Sequence, residues 1–377
     1  MKAILQISTG RFGQCTERSV SEVRSRLEQM LERLPVTAVI FGWARKDGLF
    51  EAIADTAHAN GADVYLWLPV YADVRDPAHA DPMVFWDADH AGDRDVPVMD
   101  GEGFHFICPA SGKNLDSAFR TWADLAEGIS VEGVFLDRIR YPSAAFSGVH
   151  FFGCRCPNCL RRLDGQIRDR EKLRRLIRDA DQGMRMPLPV SVENGCCRYA
   201  DADLNRLMAD RRGQITHAVE CIVRSFHERG LRVGLDTFAP ALADLVGQDL
   251  PRLMELSDFI KPMMYYKTDA PAGIPCELKA FGAEFTEQLS RLWDADLMSV
   301  SSMEKQLHSL KNTGKVCPGI EIHRIPGICE ADEESIRDGI RAARAYGCAS
   351  VVLSWNDLLA SGMELEWAGK YLTEDGT

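Results

Sequence analysis

The sequence predicts an α/β protein folded as a closed barrel of eight parallel strands, each followed by a helix. Short runs of apolar and β-branched residues, typical of buried strands, recur eight times along the 377 residues. Longer segments with helical periodicity separate most of these runs. Eight strand–helix units in one chain indicate a (β/α)8 (TIM) barrel, and we expect residues 1–377 to form that single domain.

The predicted strands are Lys2–Ser8, Ala38–Trp43, Asp63–Tyr71, Gly133–Arg138, Arg232–Thr237, Phe259–Tyr265, Val316–His323 and Ser350–Trp355. The predicted helices between them include Val20–Leu34, Leu115–Glu127, Ile215–Arg229, Glu304–Lys311 and Glu334–Tyr346, and Glu364–Tyr371 can form a closing helix. The main alternative is an open, doubly wound sheet, which normally carries a glycine-rich phosphate turn after its first strand. The corresponding turn here reads STGRFGQC and lacks the G-x-G-x-x-G spacing, so the barrel is favoured.

Two connections are too long for simple loops. One follows the third strand, from 72 to about 115, and the other is an insertion at 143–230 after the fourth strand. Both leave the carboxyl ends of strands, the face on which barrel enzymes build their active sites. The second contains basic, amphipathic stretches at Leu160–Asp181 and Asp203–Arg229, which either line a substrate cleft or are solvated additions.

Composition limits the partners and the compartment. The net charge of −12 argues against nucleic acid as a main partner. No run approaches the ~20 apolar residues of a membrane span. The opening MKAILQISTG lacks the apolar core of a signal peptide, so we expect a cytoplasmic protein whose 12 cysteines are mostly thiols. Self-association into a homo-oligomer is compatible with this composition.

One group of cysteines has the spacing of a metal site. Cys154, Cys156 and Cys159 form a C-x-C-x-x-C run in FGCRCPNCL. The fourth ligand that tetrahedral coordination requires is best supplied by Cys108, in FHFICPASG, where the third-strand connection returns. Four thiolates would make a structural zinc site. An iron–sulfur cluster or unmetallated thiols are the alternatives.

Acidic residues occur at several predicted strand ends. In VEGVFLDRIRYPS, alternation turns Phe135 and Asp137 toward the barrel axis, with Asp137 at the rim. The same alternation turns Asp236 and Glu321 inward on the fifth and seventh strands. We therefore predict these three acids as catalytic candidates, with Arg138 or Arg140 as a charge partner that holds Asp137 ionised. A purely structural arginine bond to Asp137 is the alternative.

Other inward side chains indicate a binding surface. Lys261 and Tyr265 point inward on the sixth strand, and a buried lysine needs a charged partner, so Lys261 is expected to meet one of the acids. His323 faces the axis after Glu321. The aromatic residues that could stack on sugar rings, or simply pack the core, are Trp43, Trp67 and Trp355. Two inward acids on different strands are the groups that glycoside hydrolysis requires.

These motifs resemble those of poorly characterised bacterial glycoside-hydrolase-like barrels. GVFLDRIRYPS is similar to their "DGIHLDYIRYP" fourth strand, and DFIKPMMYY to their "D-x-I-x-P-M-x-Y" sixth strand. The cysteine run is similar to the cluster of zinc-carrying bacterial β-galactosidases, in which three such cysteines and one upstream cysteine hold a structural zinc. The resemblance implies a hydrolase of glycosidic bonds with Asp137 at its site, acting on a small-molecule saccharide or glycoside.

The chain also departs from those patterns. No Asn-Glu pair closes the fourth strand, as it does in β-galactosidases, and Phe135 stands where amylase-type barrels carry an arginine. We assign Asp137 as nucleophile or stabiliser, while Asp236 and Glu321 compete for the acid/base role. Two other functions remain open. One is a metal-dependent hydrolase, which would require a His-x-His motif on an early strand, but the first strand has Gln6 and Ser8 at those positions. The other is a non-catalytic saccharide-binding barrel, which would not require the acidic residues.

Overall fold

A computed structural model gives the architecture of the chain and describes residues 1–11, 14–86, 104–145, 151–183, 186–311 and 313–374. Eight parallel strands close into a barrel, which confirms the predicted fold. Labelled β1 to β8 in chain order, they are Lys2–Ser8, Val36–Gly42, Asp63–Pro69, Gly133–Asp137, Arg232–Phe238, Phe259–Met263, Gly319–Glu321 and Ser350–Ser354. Each strand pairs with its sequence neighbours, and β1 pairs with β8 from Lys2↔Ser350 to Leu5↔Leu353.

Helices surround the barrel. Within the described residues they are Val20–Arg33, Leu49–Ala59, Gly112–Leu125, Pro157–Leu163, Arg170–Gly183, Ala202–His227, Pro240–Ala243, Leu250–Leu256, Ile274–Phe281, Ala283–Trp293, Met303–His308, Glu333–Tyr346 and Gly362–Thr373. Local signals fix their ends: Ser19 caps the first helix by accepting a hydrogen bond from the Glu22 N–H, and Gly347 ends the twelfth with φ of 93°. None of these helices is both long and apolar enough to cross a membrane.

Two sequence predictions need adjustment. The helical stretch expected at Leu160–Asp181 is divided into Pro157–Leu163 and Arg170–Gly183, with Gly165 in a left-handed turn between them. Strand β7 is shorter than the predicted Val316–His323, because Pro318 has no N–H to donate to the ladder and only an isolated bridge joins Val316 to Ile260.

Three two-stranded hairpins decorate the barrel. They are Gly10–Arg11 with Gln14–Cys15, Pro189–Glu193 with Cys196–Tyr199, and Arg324–Ile325 with Cys329–Glu330. The first follows β1 and the third follows β7, so both stand at the carboxyl-end face. The second lies within the long insertion after β4, between the helices Arg170–Gly183 and Ala202–His227.

The barrel interior is packed by large side chains. Its cluster consists of Ile4, Ala38, Ile40, Trp43, Tyr65, Trp67, Phe135, Phe259 and Val352. Two glycines make room for bulky neighbours: a Cβ on Gly234 would lie 2.2 Å from the Phe259 ring, and one on Gly319 would lie 2.6 Å from Lys261 Cε. Val134 and Leu136 belong instead to the core between barrel and helices, which confirms the predicted alternation along β4.

Candidate active site

A cavity of about 370 Å³ opens at the carboxyl ends of the strands. Side chains from seven strands or the residues directly after them line it; β7 is the exception among the described residues. The predicted site residues in the lining are Trp43, Trp67, Asp137, Arg140, Asp236, Lys261, Tyr265 and Trp355. Cavities of this size and position hold small-molecule ligands in barrel proteins.

Asp137 is the last residue of β4 and is held at both of its oxygens. Trp67 Nε1 donates to Oδ2 at 3.0 Å, and the Arg138 N–H donates to Oδ1 at 2.5 Å. In addition, Nε of the Arg138 guanidinium lies 4.0 Å from Asp137 Oδ2. The side chain of Asp137 is 14% exposed, so its carboxylate is oriented by the protein and still accessible from the cavity.

Asp236 stands beside Asp137 on the adjacent strand. The β4–β5 register runs through Leu136↔Leu235, and the following residues are these two acids. Asp236 Oδ2 accepts from Lys261 Nζ at 3.1 Å, and its Oδ1 has no hydrogen-bond partner among the described residues. Burial raises the pKa of Asp236 to about 7, against the lowering effect of Lys261 and with a smaller contribution from Asp137.

Lys261 completes the charged layer from β6. It pairs in register with Asp236, is 0% exposed, and also donates to Gln6 Oε1 on β1 at 2.7 Å. The sequence prediction that a buried lysine would meet an acid is borne out in this contact. The layer therefore crosses the barrel from β4 through β5 and β6 to β1.

Two arginines follow Asp137 and line the same cavity. Arg138 Nη1 is 2.6 Å from Asp73 Oδ2, and the guanidinium lies 4.8 Å from the Trp43 ring and 4.0 Å from the Phe104 ring. Arg140 is only 4% exposed. Burial, followed by repulsion from Arg138, lowers the pKa of Arg140 to about 10.

Aromatic rings cover the cavity wall. The rings of Trp43 and Trp67 meet edge to face with centroids 5.4 Å apart, and Trp355 also belongs to the cavity lining. Trp43 has φ of 96°, a left-handed backbone that is rare for a bulky residue and that concentrates at functional sites. These flat surfaces can stack on apolar faces of sugar rings.

Glu321 and His323 lie outside the cavity lining. Glu321 is buried at the end of β7, where Oε1 accepts from the Lys267 N–H at 2.5 Å, and burial raises its pKa to about 8. His323 stacks on Trp355 with centroids 5.1 Å apart, and its Nε2 accepts from the Trp355 and Asn356 N–H groups. Burial lowers the pKa of His323 to about 3, so it acts as a neutral support for the Trp355 segment.

The site contains residues that were not predicted from the sequence. They are Gln6, Phe104 and Asn356, which all line the cavity. Alternation along β1 would have turned Gln6 inward with Ile4, so that signal was present. Arg138, one of the two predicted charge partners of Asp137, also lines the cavity. Its φ of 55° interrupts the strand alternation after Asp137, and the sequence pattern did not predict that conformation.

The four predicted cysteines come together between the connections after β3 and β4. Their sulfur atoms lie within 4.8 Å of one another, with Cys108 Sγ 3.6 Å from Cys156 Sγ and 3.5 Å from Cys159 Sγ. Cys154 Sγ accepts from the Val84 N–H at 3.3 Å and from the Cys156 N–H at 3.4 Å. All four cysteines are buried thiols, and the cluster can hold a metal ion.

Several solved structures share this fold. The glycoside hydrolase domain of PgaB (BpsB) from Bordetella bronchiseptica is 14% identical with a TM-score of 0.60, and the match covers 100% of both chains. The catalytic domain of β-amylase from Paenibacillus polymyxa is 13% identical with a TM-score of 0.56, covering 98% of this chain and 97% of that one. No protein-family model and no curated protein matches the sequence. The expected similarity to glycoside-hydrolase-like barrels is confirmed at the level of the fold.

Proposed function

We propose that the protein is a glycoside hydrolase that cleaves a small-molecule saccharide or glycoside at the cavity on the carboxyl-end face. The observation that carries this proposal is the adjacent placement of Asp137 and Asp236 in one aromatic-lined cavity. Glycosidic bonds are cleaved by two carboxyl groups, of which one protonates the leaving oxygen and the other acts at the anomeric carbon. The fold shared with glycoside hydrolases from two bacteria supports the same conclusion.

Asp137 is the proposed nucleophile. Its oxygens accept hydrogen bonds from Trp67 Nε1 and from the Arg138 N–H, the environment of a carboxylate rather than of a protonated acid. These two donors fix its orientation, and a fixed orientation reduces the entropy lost on reaching the transition state. The nearby Arg138 guanidinium offsets the negative charge while the site is empty.

Asp236 is the proposed acid/base. A pKa of about 7 lets it hold a proton at neutral pH and release it during the reaction, as a general acid requires. Its Oδ1 has no hydrogen-bond partner among the described residues, so it is not committed to another contact. Lys261, which contacts the other oxygen, moderates the rise of the pKa that burial causes. Glu321 is less suited to this role because it lies outside the cavity lining.

The cysteine cluster is proposed to hold a structural zinc ion. The sulfur–sulfur distances of 3.5 and 3.6 Å from Cys108 are close to the ~3.8 Å edge of a tetrahedron whose zinc–sulfur bonds are ~2.3 Å. Four thiolates leave no open coordination position, so the ion would stabilise the fold and take no part in the reaction. Thiolate ligands persist in a reducing compartment, and we propose the cytoplasm as that compartment.

A panel of aryl glycosides assayed on wild type and on Asp137→Asn tests the function. Release of the aryl group by wild type, reduced more than about 10³-fold in Asp137→Asn, is the expected result. Asp63→Asn is the matched control, because Asp63 lies at the opposite end of β3 and is 43% exposed. Circular dichroism confirms that the variants fold. Saccharide binding without release from any glycoside, unchanged in Asp137→Asn, would instead identify a non-catalytic saccharide-binding barrel.

A further inference from the structure

Arg140 is a buried cation at the wall of the cavity. Its guanidinium carbon lies over two aromatic rings, 4.7 Å from the centroid of Phe238 and 5.3 Å from that of Phe106. Only 4% of the residue is exposed, although it belongs to the cavity lining. Burial of a guanidinium removes its hydration, and a buried charge is costly unless a partner compensates it.

The other cations of the lining have carboxylate partners, whereas Arg140 does not. Arg138 is paired with Asp73, and Lys261 with Asp236. In the described part of the chain, Arg140 makes no ion pair, and its one hydrogen bond is from Nη1 to the Tyr141 carbonyl at 3.1 Å. Its remaining N–H groups are available to a ligand in the cavity.

Glu277 is the carboxyl group with the largest electrostatic effect on Arg140, but it does not form an ion pair with it among the described residues. Glu277 interacts with Arg140 through space, but its Oε1 accepts from Ser143 Oγ and from the Ala272 N–H, each at 2.9 Å. No oxygen of Glu277 lies within ion-pair distance of Arg140 among the described residues, and burial raises the pKa of Glu277, which disfavours its charged form. The protein therefore leaves the Arg140 charge to be compensated from the cavity.

We infer that the site takes an anionic sugar, and that Arg140 binds its negatively charged oxygen group. This inference rests on the proposed glycoside hydrolase function and specifies the substrate class. A guanidinium presents a planar fork of N–H donors that matches a carboxylate with two parallel hydrogen bonds. A hexuronic acid carries that carboxylate on the same ring as its anomeric carbon. One sugar residue can thus meet Arg140 and Asp137 in the same cavity.

Ligand titrations followed by tryptophan fluorescence test the inference on the whole chain, since Trp43, Trp67 and Trp355 line the cavity. The probes are glucuronate and galacturonate, their neutral counterparts glucose and galactose, and glucose 6-sulfate, all at one ionic strength. We expect the anionic sugars to bind at least about tenfold more tightly than the neutral ones, a typical gain for charge-assisted hydrogen bonds. Preference for the uronates over the sulfate identifies a carboxylate as the recognised group, and the reverse preference identifies a sulfate ester.

Variants assign the preference to one side chain. Arg140→Gln should bring the anionic and neutral affinities to within about twofold, and Arg140→Lys should restore part of the preference because it keeps the charge but not the fork. Arg24→Gln is the control, since Arg24 is exposed on the first helix and 61% accessible. If wild type binds glucose as tightly as glucuronate, the inference is wrong, whatever the fold of the Arg140 variants.

Hydrolysis separates this inference from the proposed function. Equal kcat/KM for an aryl glucuronide and an aryl glucoside would overturn the anionic substrate and leave the glycoside hydrolase in place. Tight, Arg140-dependent binding of uronates without cleavage of any aryl glycoside would support the recognition of an anionic sugar and overturn the hydrolase. Cleavage of uronides at least tenfold faster than of neutral glycosides would support both.

Discussion

Asp236 and Lys261 face each other on neighbouring strands, with Lys261 Nζ 3.1 Å from Asp236 Oδ2 and both side chains almost completely withdrawn from solvent. Burial and the lysine act on the acid in opposite directions. Burial disfavours its carboxylate, while the ammonium group favours it, and the balance leaves the pKa of Asp236 at about 7. The pair thus places an acid with a pKa raised to about 7 next to the proposed nucleophile.

The first prediction concerns the pH dependence of the reaction. A general acid works in its protonated form, so kcat should fall as the pH rises through about 7, where Asp236 loses its proton. Asp236→Asn should lower kcat by about 10²–10⁴-fold and remove this alkaline limb. Steady-state rates between pH 5 and 9 on an activated aryl glycoside measure both effects.

The same pH series distinguishes the two candidate acids. Glu321 has a pKa raised to about 8, so a limb produced by Glu321 would lie about one unit higher. Glu321→Gln should retain the limb near pH 7 and most of the rate. Loss of the limb in this variant, with the limb intact in Asp236→Asn, would transfer the acid/base role to Glu321.

The second prediction is a stability effect of Glu321. Burial raises the pKa of Glu321 from its ordinary 4.5 to about 8 in the folded protein. Between pH 4.5 and about 8, the folded state therefore binds more protons than the unfolded state. Folding stability is therefore lost as the pH rises through this window, by at most about 1.4 kcal/mol for each pH unit. Glu321→Gln cannot titrate, and its Tm relative to wild type should increase from pH 5 to pH 8.

Thermal unfolding at the two pH values measures this difference. Glu330→Gln is the control, because Glu330 is exposed and close to Glu321 in the chain. Its Tm should differ from that of wild type by the same amount at pH 5 and at pH 8. A Tm difference for Glu321→Gln that is equal at pH 5 and pH 8 would contradict the buried, proton-holding state of this carboxyl.

The third prediction is the stereochemical outcome. Asp137 and Asp236 stand side by side on adjacent strands, whose backbones are ~4.8 Å apart. This spacing suits the ~5 Å separation of carboxyl groups in retaining enzymes better than the wider ~6.5–9.5 Å of inverting ones. Proton NMR of the first-formed product should therefore show the anomer of the substrate. An inverted product would mean that the second carboxyl comes from a more distant element.

The fourth prediction concerns the metal. Protein purified without added metal should contain about one zinc ion per chain by elemental analysis. Cys108→Ser should lose the zinc and lower the Tm by several degrees, because the proposed ion would link the two long connections that carry the four cysteines. Cys221→Ser, a partly exposed cysteine outside the cluster, should change neither value. Iron in place of zinc would indicate an iron–sulfur cluster.

The fifth prediction concerns the close packing of Lys261 against Gly319 in the barrel interior. In Gly319→Ala the new methyl would lie 2.6 Å from Lys261 Cε, so the lysine must move away from its place in the barrel. Weaker contact with Asp236 should shift the alkaline limb of kcat to higher pH. Gly213→Ala is the control, since a Cβ on Gly213 meets nothing within 4 Å. An unchanged pH profile in Gly319→Ala would show that Lys261 does not influence the reacting acid.

Much of the barrel could be predicted because its strands are buried on both faces and read as apolar runs. Period-two alternation then assigned Phe135 to the interior and Asp137 to the rim of β4 correctly. The fourth cysteine, Cys108, was also placed correctly, since both long connections leave neighbouring strands at the same face.

Positions beyond the ends of strands were harder to predict. Alternation gives the side of a residue but not its depth, so Glu321 was indistinguishable from Asp236, although a backbone N–H of Lys267 holds it outside the cavity. Arg138 and Trp43 have φ of 55° and 96°, and these conformations turn the chain in ways that a periodic pattern does not contain. The cavity wall after each strand is therefore set by tertiary contacts.

The closure of the barrel between β1 and β8 has a consequence for biosynthesis. A ribosome makes β1 early, but its partner strand begins at Ser350, and the Gln6 N–H is bound by Asp357, which also comes late. Until then β1 presents an open edge that can pair with other chains, and Gln6 lacks its final position next to Lys261. We therefore expect nascent chains to complete the cavity in a late step, and chains released before β8 emerges to be prone to aggregation through this edge.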